Sequence, residues 1–492
     1  MPTAEPTGKD PAPPGRPKAR GAPSGGSEHS ELGGSNQAPK RLADNARAIA
    51  RLAAPLLLGQ LAVLAFGTID TMLVARFAAA DLAALAVGGA AYITVFIGLM
   101  GVVLALGPIV GQLYGARQLE QAGAQMHQAV WLALGLSVVG STVLAFPQPF
   151  LWLSRAEPEV ADKVHSYTLA LAVSLPAALL FTAYRGFNTA VSRPKAVTVL
   201  QIGGLALKVP LSFALVWGAG PLSPMGVAGC GMATAIVMWA QLIAAFVLLR
   251  RDPFYRPFRI LGRGLLPPSR PALVAQLKLG IPMGLSIGIE VTGFTFMAFF
   301  ISRISPTAVA GHQIAANLVA LMYMLPLALA NATSTLVAQA IGAGAMRQAR
   351  RLGWQGLGIG IGLAVAIGLL VFAGRHGLVR LYASDPVIIA AALPLLSWVA
   401  VFHLGDAAQC LASFILRAYR IATVPLVIYA SAIWGVGLGG GYWLAFGQPA
   451  WAPEALYGAR GFWAAATVGL VTAAAGLCLL LGWVQRQRLG TT

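Results

Sequence analysis

The chain has 492 residues, of which 57% are hydrophobic and only 10% are charged, and its formal net charge is +18. Soluble domains carry about 25% charged residues, so this composition excludes an ordinary soluble globular protein. Because the Lys and Arg side chains are concentrated in the connections on one side of the apolar segments and in the N-terminal segment, their distribution favours contact with anionic lipid and disfavours a nucleic-acid partner.

The N-terminal segment is rich in Pro, Gly and Ser and shows no apolar periodicity. We predict a disordered cytoplasmic tail over residues 1–45. No short apolar segment with a cleavage site precedes the first long apolar segment, so we expect the first span to act as the insertion signal.

Twelve apolar segments follow, each long enough to cross about 30 Å of hydrocarbon. They lie near 50–74, 85–112, 126–146, 166–188, 195–217, 227–249, 275–301, 308–340, 354–373, 388–415, 421–446 and 461–484. Lys and Arg are concentrated in the even-numbered connections and at the C-terminus, above all between the sixth and seventh spans. This bias predicts that both termini are cytoplasmic. The pattern predicts an all-α integral membrane protein.

The two halves of the chain repeat each other at a separation of 227 residues. The matched pairs are Pro55 with Pro282, Arg76 with Arg303, Gln112 with Gln339, Gly115 with Gly342 and Arg193 with Arg420. Since six spans return the chain to its starting side, the halves have the same orientation, as in transporters built from parallel repeats. We predict two pseudo-symmetric six-helix bundles with a cavity between them.

This repeat divides the chain. We predict an N-lobe over 46–250 (helices 1–6), a basic cytoplasmic connection over 251–274 and a C-lobe over 275–485 (helices 7–12). A short C-terminal tail, 486–492, completes the chain.

Four ionisable side chains stand out within the spans: Asp70, Lys208, Glu290 and Asp406. A charge at the bilayer centre costs roughly 2.5 to 3.5 kcal/mol on insertion scales, so such residues are retained where they face a cavity or a partner. We predict that the three acids carry cation or proton coupling, since a buried carboxylate can hold a proton or Na⁺ and exchange it for substrate. For each acid the alternative is a neutral carboxylic acid hydrogen-bonded between helices.

Polar, aromatic and Met side chains share helix faces with these groups. The predicted substrate-cavity residues are Gln201, Lys208, Ser212, Phe294, Met297, Phe402, His403 and Gln409. Aromatic rings and thioethers adapt to many lipophilic cations, whose charge a carboxylate neutralises. We therefore expect small organic cations and membrane lipids as partners, and no cofactor. His403 is either a member of a proton relay or a packing histidine.

Three stretches resemble the multidrug and toxic compound extrusion (MATE) family, particularly its bacterial NorM-like branch. They are "GTIDTMLVARF" in span 1, "GIPMGLSIGIEVTGFTFMAFFISRISPTAVAGHQIAAN" from span 7 into span 8, and "FHLGDAAQCLASFILRAYR" in span 10. The resemblance covers most of residues 48–485. It implies a monomeric twelve-helix exporter of the bacterial inner (plasma) membrane, which expels organic cations in exchange for Na⁺ or H⁺ by alternating access. It also implies that Asp70 is the N-lobe coupling acid and that Glu290 and Asp406 are the C-lobe cation-site acids.

The sequence departs from this family at the N-lobe site. Lys208 and Ser212 stand where the family commonly shows two asparagines, and Phe402 stands where related sequences often have a tyrosine. We predict that Lys208 is an internal counter-ion to Asp70, in a pair that is broken and remade during transport. The alternative is that Lys208 reaches a head-group region by snorkelling.

Other functions are kept open by the sequence. A lipid or lipid-linked precursor flippase of the same superfamily would show a strongly cationic central cavity, and a solute channel would not need alternating access. An enzyme is not expected, because "HLGD" lacks the Gly-x-Gly-Asp pattern and no HExxH, GxSxG or phosphate-loop motif stands in a suitable context.

Overall fold

A computed structural model describes residues 42–154, 157–219, 223–262 and 264–490. Most of the predicted tail over 1–45 lies outside the described residues. Its last four residues, 42–45, belong to the first helix.

Twelve helices in the described ranges are long and apolar enough to cross a membrane, and each coincides with a predicted span. They are α1 (Leu42–Ala75), α2 (Ala79–Gly115), α3 (Leu119–Ala145), α4 (Pro158–Ala190), α5 (Pro194–Trp217), α6 (Val227–Arg251), α7 (Arg270–Ser302), α8 (Pro306–Gly342), α9 (Met346–Tyr382), α10 (Pro386–Ala418), α11 (Thr423–Gly447) and α12 (Ala459–Gly490). The described residues contain no strand, so the all-α, twelve-span fold is confirmed.

The starts of several helices follow from local chemistry. Proline is the first residue of α4, α5, α8 and α10, where its missing amide would have no helical acceptor. Asp385 Oδ1 accepts from the Val387 amide at 2.8 Å before α10, and Ser305 Oγ accepts from the Ala308 amide at 3.0 Å before α8. Side-chain caps of this kind satisfy amides that the first helical turn leaves unpaired.

Each half of the chain forms a bundle around one central helix. In the N-lobe, α4 packs against α2, α3 and α6, and in the C-lobe α10 packs against α8, α9 and α12. The lobes meet where α1 packs on α8 and where α2 packs on α7 and α8. Because an even number of spans separates Leu42 from Gly490, both lie on one membrane side, which we call the termini side.

Two glutamines related by the repeat join the lobes on the termini side. Gln112 Nε2, at the end of α2, donates to the Ala418 carbonyl at the end of α10, at 2.7 Å. Gln339 Nε2, at the end of α8, donates to the Ala190 carbonyl at the end of α4, also at 2.7 Å. Each bond crosses from one lobe to the other, so the pair closes this side of the molecule symmetrically.

Two glycines allow this approach. A Cβ on Gly115 would lie 1.9 Å from the Gln339 carbonyl oxygen, and a Cβ on Gly342 would lie 1.8 Å from the Gln112 carbonyl oxygen. Real Cβ atoms do not come so close to backbone oxygen, so α2 and α8 can cross here only because both positions are glycine.

The same contacts correct part of the predicted repeat. The acceptors Ala190 and Ala418 lie 228 positions apart, as do Ser192 and Arg420, which both have φ of 61°. The pairing of Arg193 with Arg420 is therefore wrong by one residue. The second half has one residue more between its interlobe glutamine, Gln339, and the acceptor Ala418 than the first half has between Gln112 and Ala190.

The basic connection between the lobes is held against the start of α3. His127 Nε2 donates to the Ile260 carbonyl at 2.7 Å, and Gln128 Oε1 accepts from the Ser269 amide at 2.7 Å. The connection begins at Asp252, whose pKa is held below its usual range by the Phe254 amide and then by the Arg193 guanidinium, 2.5 Å away. This part of the chain is thus attached to the N-lobe.

Candidate functional site

The N-lobe contains a buried ion pair. Lys208 Nζ, on α5, lies 3.0 Å from Asp70 Oδ2 on α1, and the Lys208 side chain is fully buried. The ammonium also donates to Thr234 Oγ1 at 2.6 Å and to the Cys230 carbonyl at 3.2 Å, both on α6. Ser212 Oγ donates to Asp70 Oδ1 at 3.4 Å. Each charge therefore has polar partners inside the lobe.

This geometry excludes the snorkelling of Lys208 towards a head-group region, because its ammonium ends on groups of α1 and α6 in the lobe interior. The contact expected between Lys208 and Asp70 is present. Breaking such a pair by removing one partner costs about 3 to 5 kcal/mol, since the other charge is left buried and uncompensated. Lys208 and Asp70 thus hold each other in place.

The C-lobe contains a small cavity of about 40 Å³. The acids and their aromatic and thioether neighbours line it together: Glu290, Phe294 and Met297 from α7, Phe402 and Asp406 from α10, and Tyr429 from α11. A single water needs roughly 10 to 15 Å³ of such space, so the volume is enough for a water or a small dehydrated cation.

The chemistry of this small cavity suits a hard cation or a proton. Glu290 and Asp406 supply carboxylate oxygens, the ligands that hard cations prefer. Gln409 Nε2 donates to Asp406 Oδ1 at 3.3 Å and orients that carboxylate. The described residues contain no group of three or more His, Cys, Asp or Glu that could hold a metal ion, so a cation here would need further oxygen from hydroxyl, carbonyl or water.

An irregular helix forms one wall of this cavity. In α11 the backbone has π-helical turns over Ser431–Gly439 and again over Trp443–Gly447. Ile433, Gly437 and Leu438 of this stretch line the cavity. Widened turns of this type occur often at functional sites, and here the glycine-rich "WGVGLGGG" is the sequence feature that could have indicated it.

A larger cavity of about 510 Å³ lies between the lobes. Its lining comes from α1, α2, α4 and α5 of the N-lobe and from α7, α8, α10 and α11 of the C-lobe. Glu290 and Tyr429 line both this central cavity and the small one, so they stand between the two spaces. Pockets for drug-sized ligands range from about 300 to 1,000 Å³.

The predicted cavity residues divide into three groups. Gln201 and Gln409 line the central cavity, whereas Phe294, Met297 and Phe402 line the small one. Three others, Lys208, Ser212 and His403, line neither of these two cavities. Lys208 and Ser212 point at Asp70 within the N-lobe. His403 is fully buried, and neither of its ring nitrogens has a hydrogen-bond partner among the described residues.

Two intramembrane cations were missed by the sequence reasoning. Arg185, on α4, and Arg417, on α10, both line the central cavity. Arg417 lies just beyond the predicted span 388–415 and was assigned to a connection, whereas Arg185 lies within the predicted span 166–188 and was not recognised as an intramembrane charge. The sequence did offer one indication of a polar helix face at each arginine. Arg185 and Thr189 are four residues apart, as are Ser413 and Arg417, so each arginine shares a helix face with a hydroxyl side chain.

The fold and these cavities define a multi-pass membrane protein with two related lobes. A model of the MatE family matches residues 55–214 and 282–443, one match in each lobe. The chain therefore belongs to this family, the multidrug and toxic compound extrusion family expected from the sequence.

Relatives in bacteria extend over nearly the whole chain. The chain is 40% identical over 432 residues to a protein of Aromatoleum aromaticum named "Probable multidrug resistance protein NorM", covering 88% of this chain and 92% of that protein. It is 34% identical over 431 residues to "Multidrug resistance protein PmpM" of Pseudomonas aeruginosa, covering 87% and 90%.

Solved structures share the fold. The eukaryotic MATE transporter AtDTX14 superposes with a TM-score of 0.79 at 20% identity, covering 91% of this chain and 98% of that one. A MATE protein in a bent conformation superposes with a TM-score of 0.81 at 19% identity, covering 92% and 97%. At these identities the likeness supports the architecture alone.

Proposed function

We propose that this protein is a secondary active antiporter that exports organic cations from a bacterial cell in exchange for Na⁺ or H⁺. The observation that supports it most strongly is the position of Glu290, which lines both the drug-sized central cavity and the small acidic cavity. A cation in one space and an organic cation in the other would compete for the same carboxylate. The names of the bacterial relatives, which are multidrug resistance proteins, agree with this assignment.

The contact between the lobes on one side agrees with the second requirement, which is alternating access. The lobes touch beneath the central cavity on the termini side, through Gln112 and Gln339. If the basic connection makes this side cytoplasmic, the cytoplasmic side is the one that the interlobe bonds close. A form that is open to the cytoplasm then requires both bonds to break.

Efflux from proteoliposomes tests the proposal. We expect vesicles that contain the full chain to extrude a fluorescent organic cation when a Na⁺ gradient or a pH gradient is imposed, and the effective gradient identifies the coupling ion. Extrusion without any gradient, or flux that does not saturate with substrate, would instead indicate a channel.

Lys208 gives a specific prediction about coupling. In Lys208→Asn, Asp70 loses its ammonium partner, so the N-lobe carboxylate becomes free to bind an external cation. We expect the ion dependence of efflux to change, with Na⁺ supporting transport better than in the parent. The measurement is the initial efflux rate under Na⁺ and pH gradients imposed separately, and an unchanged ratio of the two rates contradicts the counter-ion role. Lys278→Asn, in α7 outside both cavities, is the matched control.

A lipid-linked precursor flippase is the second candidate, and the two cavity arginines are the observation that favours it. Arg185 and Arg417 leave the described cavity lining with two guanidiniums against one carboxylate, Glu290. Accelerated transfer of fluorescent phosphatidylglycerol between leaflets, together with no efflux of organic cations, would favour this function over export.

A further inference from the structure

The guanidinium groups of Arg185 and Arg417 line the central cavity, where Arg417 and Glu290 attract each other electrostatically without a direct salt bridge. Arg417 is 6% exposed, and its Nη1 has no hydrogen-bond partner. Arg185 Nη2 donates to the Met100 sulfur at 3.3 Å, and a thioether is a weak acceptor. Within the described ranges, neither guanidinium forms a salt bridge to a carboxylate.

The contacts that these side chains do make leave their donor edges available. The Arg417 guanidinium carbon lies 4.2 Å from the centre of the Phe414 ring, which also lines the cavity. Stacking on an aromatic face uses the plane of the guanidinium and leaves its N–H groups free to bind an anion. Because Arg stays protonated in proteins, these are permanent positive charges in a space of low polarity.

Both arginines lie at the closed end of the cavity. Arg417 directly precedes Ala418, and Arg185 lies five residues before Ala190, the two carbonyls that accept the interlobe bonds. Hydroxyl donors accompany them, since Thr189 and Ser413 line the same cavity one helical turn away.

Glu290 supplies the opposite charge in the same cavity. It lines the side of the central cavity that adjoins the small acidic one. A ligand spanning from Glu290 to the arginines would meet a negative group at one end and two positive groups at the other. The volume of about 510 Å³ accommodates a drug-sized molecule of this kind.

We propose that Arg185 and Arg417 form an anion-binding subsite that takes the carboxylate of a zwitterionic organic substrate while Glu290 faces its cationic group. This inference rests on the proposed export of organic cations and narrows it to a substrate class. The guanidiniums bind the carboxylate by charge-assisted hydrogen bonds, and the planar fork of Arg suits that geometry. Since a purely cationic compound gains nothing from this subsite, the arginines select between substrates.

Two dyes that differ in one functional group test the subsite. Rhodamine B carries a free carboxylate beside its delocalised cation, and rhodamine B ethyl ester carries the cation alone. Binding of each dye to the full chain in lipid nanodiscs is measured by fluorescence anisotropy. For Arg185→Gln and Arg417→Gln we expect the Kd of rhodamine B to rise about tenfold or more, whereas the Kd of the ester stays within about threefold.

Binding of the ester also shows that each variant is folded. Arg347→Gln, which removes an exposed arginine at the start of α9, is the matched control and should change neither Kd. Arg417→Lys keeps the charge without the fork and should give an intermediate loss for rhodamine B. An equal loss of both dyes in the arginine variants would overturn the subsite, because it would assign the arginines to packing or to neutralising Glu290.

Binding of the two dyes to the parent protein and to the arginine variants distinguishes failure of the subsite from failure of the proposed export. If the ester binds and the arginine variants bind rhodamine B normally, the subsite is wrong and cation export stands. If rhodamine B binds and the ester does not, the subsite stands and export of simple organic cations is wrong. Binding of neither dye would contradict both.

Discussion

Efflux of an organic cation should fall by about 5- to 150-fold in Glu290→Gln and in Asp406→Asn, the range given by a coupling free energy of 1 to 3 kcal/mol. Both substitutions keep the shape of the side chain and remove its charge, and both residues line the small acidic cavity. A ligand shifts a conformational equilibrium only by its differential affinity for the two states. Without a carboxylate that binds the coupling ion in one state, the ion gradient cannot drive the change.

The two variants should differ in how they affect the substrate. Glu290 lines both cavities, whereas Asp406 lines the small one and accepts from Gln409. We therefore expect Glu290→Gln to weaken equilibrium binding of the organic cation as well as efflux, and Asp406→Asn to reduce efflux with little change in binding. Dye efflux from proteoliposomes and binding in nanodiscs measure these effects separately.

Glu454→Gln is the control for these acids, because Glu454 is exposed in the connection between α11 and α12. It should leave efflux unchanged. Full transport activity in both Glu290→Gln and Asp406→Asn would contradict the coupling role assigned to the small cavity.

The twelve spans could be predicted from the sequence because a bilayer imposes a simple requirement. Each span must be apolar over the hydrocarbon thickness and must satisfy its backbone groups within its own helix. All of the observed helices except α11 are longer than the predicted spans, as α12 shows by continuing to Gly490 through part of the predicted C-terminal tail. A hydropathy profile ends a span where polar residues begin, even if the helix continues. For this reason Arg417, at the end of α10, was assigned to a connection.

The direction in which a side chain points was harder to predict. Helix rotation is set by packing against neighbours, and a single sequence does not report those neighbours. Lys208 was correctly paired with Asp70 because few other groups in the membrane could compensate its charge. The same reasoning placed Lys208 in the substrate cavity, whereas Thr234 and the Cys230 carbonyl hold it inside the N-lobe.

The acidic sites of the two lobes therefore differ in chemistry. In the N-lobe, Asp70 already has an ammonium within 3.0 Å, so an incoming cation must displace Lys208. In the C-lobe, Glu290 and Asp406 share a cavity whose described lining holds no Lys or Arg. A coupling cation should thus bind first in the C-lobe, and Asp70 becomes available only if movement of α5 or protonation releases the pair.

Closure of the termini side gives the second large effect. In Gly115→Ala or Gly342→Ala, the added methyl group would meet a backbone oxygen of the opposite lobe, at 1.9 Å and 1.8 Å respectively. Overpacking a tight contact costs about 1 to 3 kcal/mol. Since this cost applies only when the lobes are in contact on this side, the substitution should disfavour that form by about 5- to 150-fold and reduce efflux accordingly.

Spin labels on Gln118→Cys and Arg347→Cys, which are exposed just beyond α2 and at the start of α9, report the separation of the lobes on this side. The half-buried Cys478 is replaced by Ala to prevent labelling there. We expect the distance distribution to shift to longer values in both glycine variants. Gly89→Ala is the matched control within α2, because a Cβ at Gly89 meets nothing within 4 Å. Because the two contacts are related by the repeat, each substitution alone should be sufficient, and an unchanged distribution in either would show that the lobes close without this crossing.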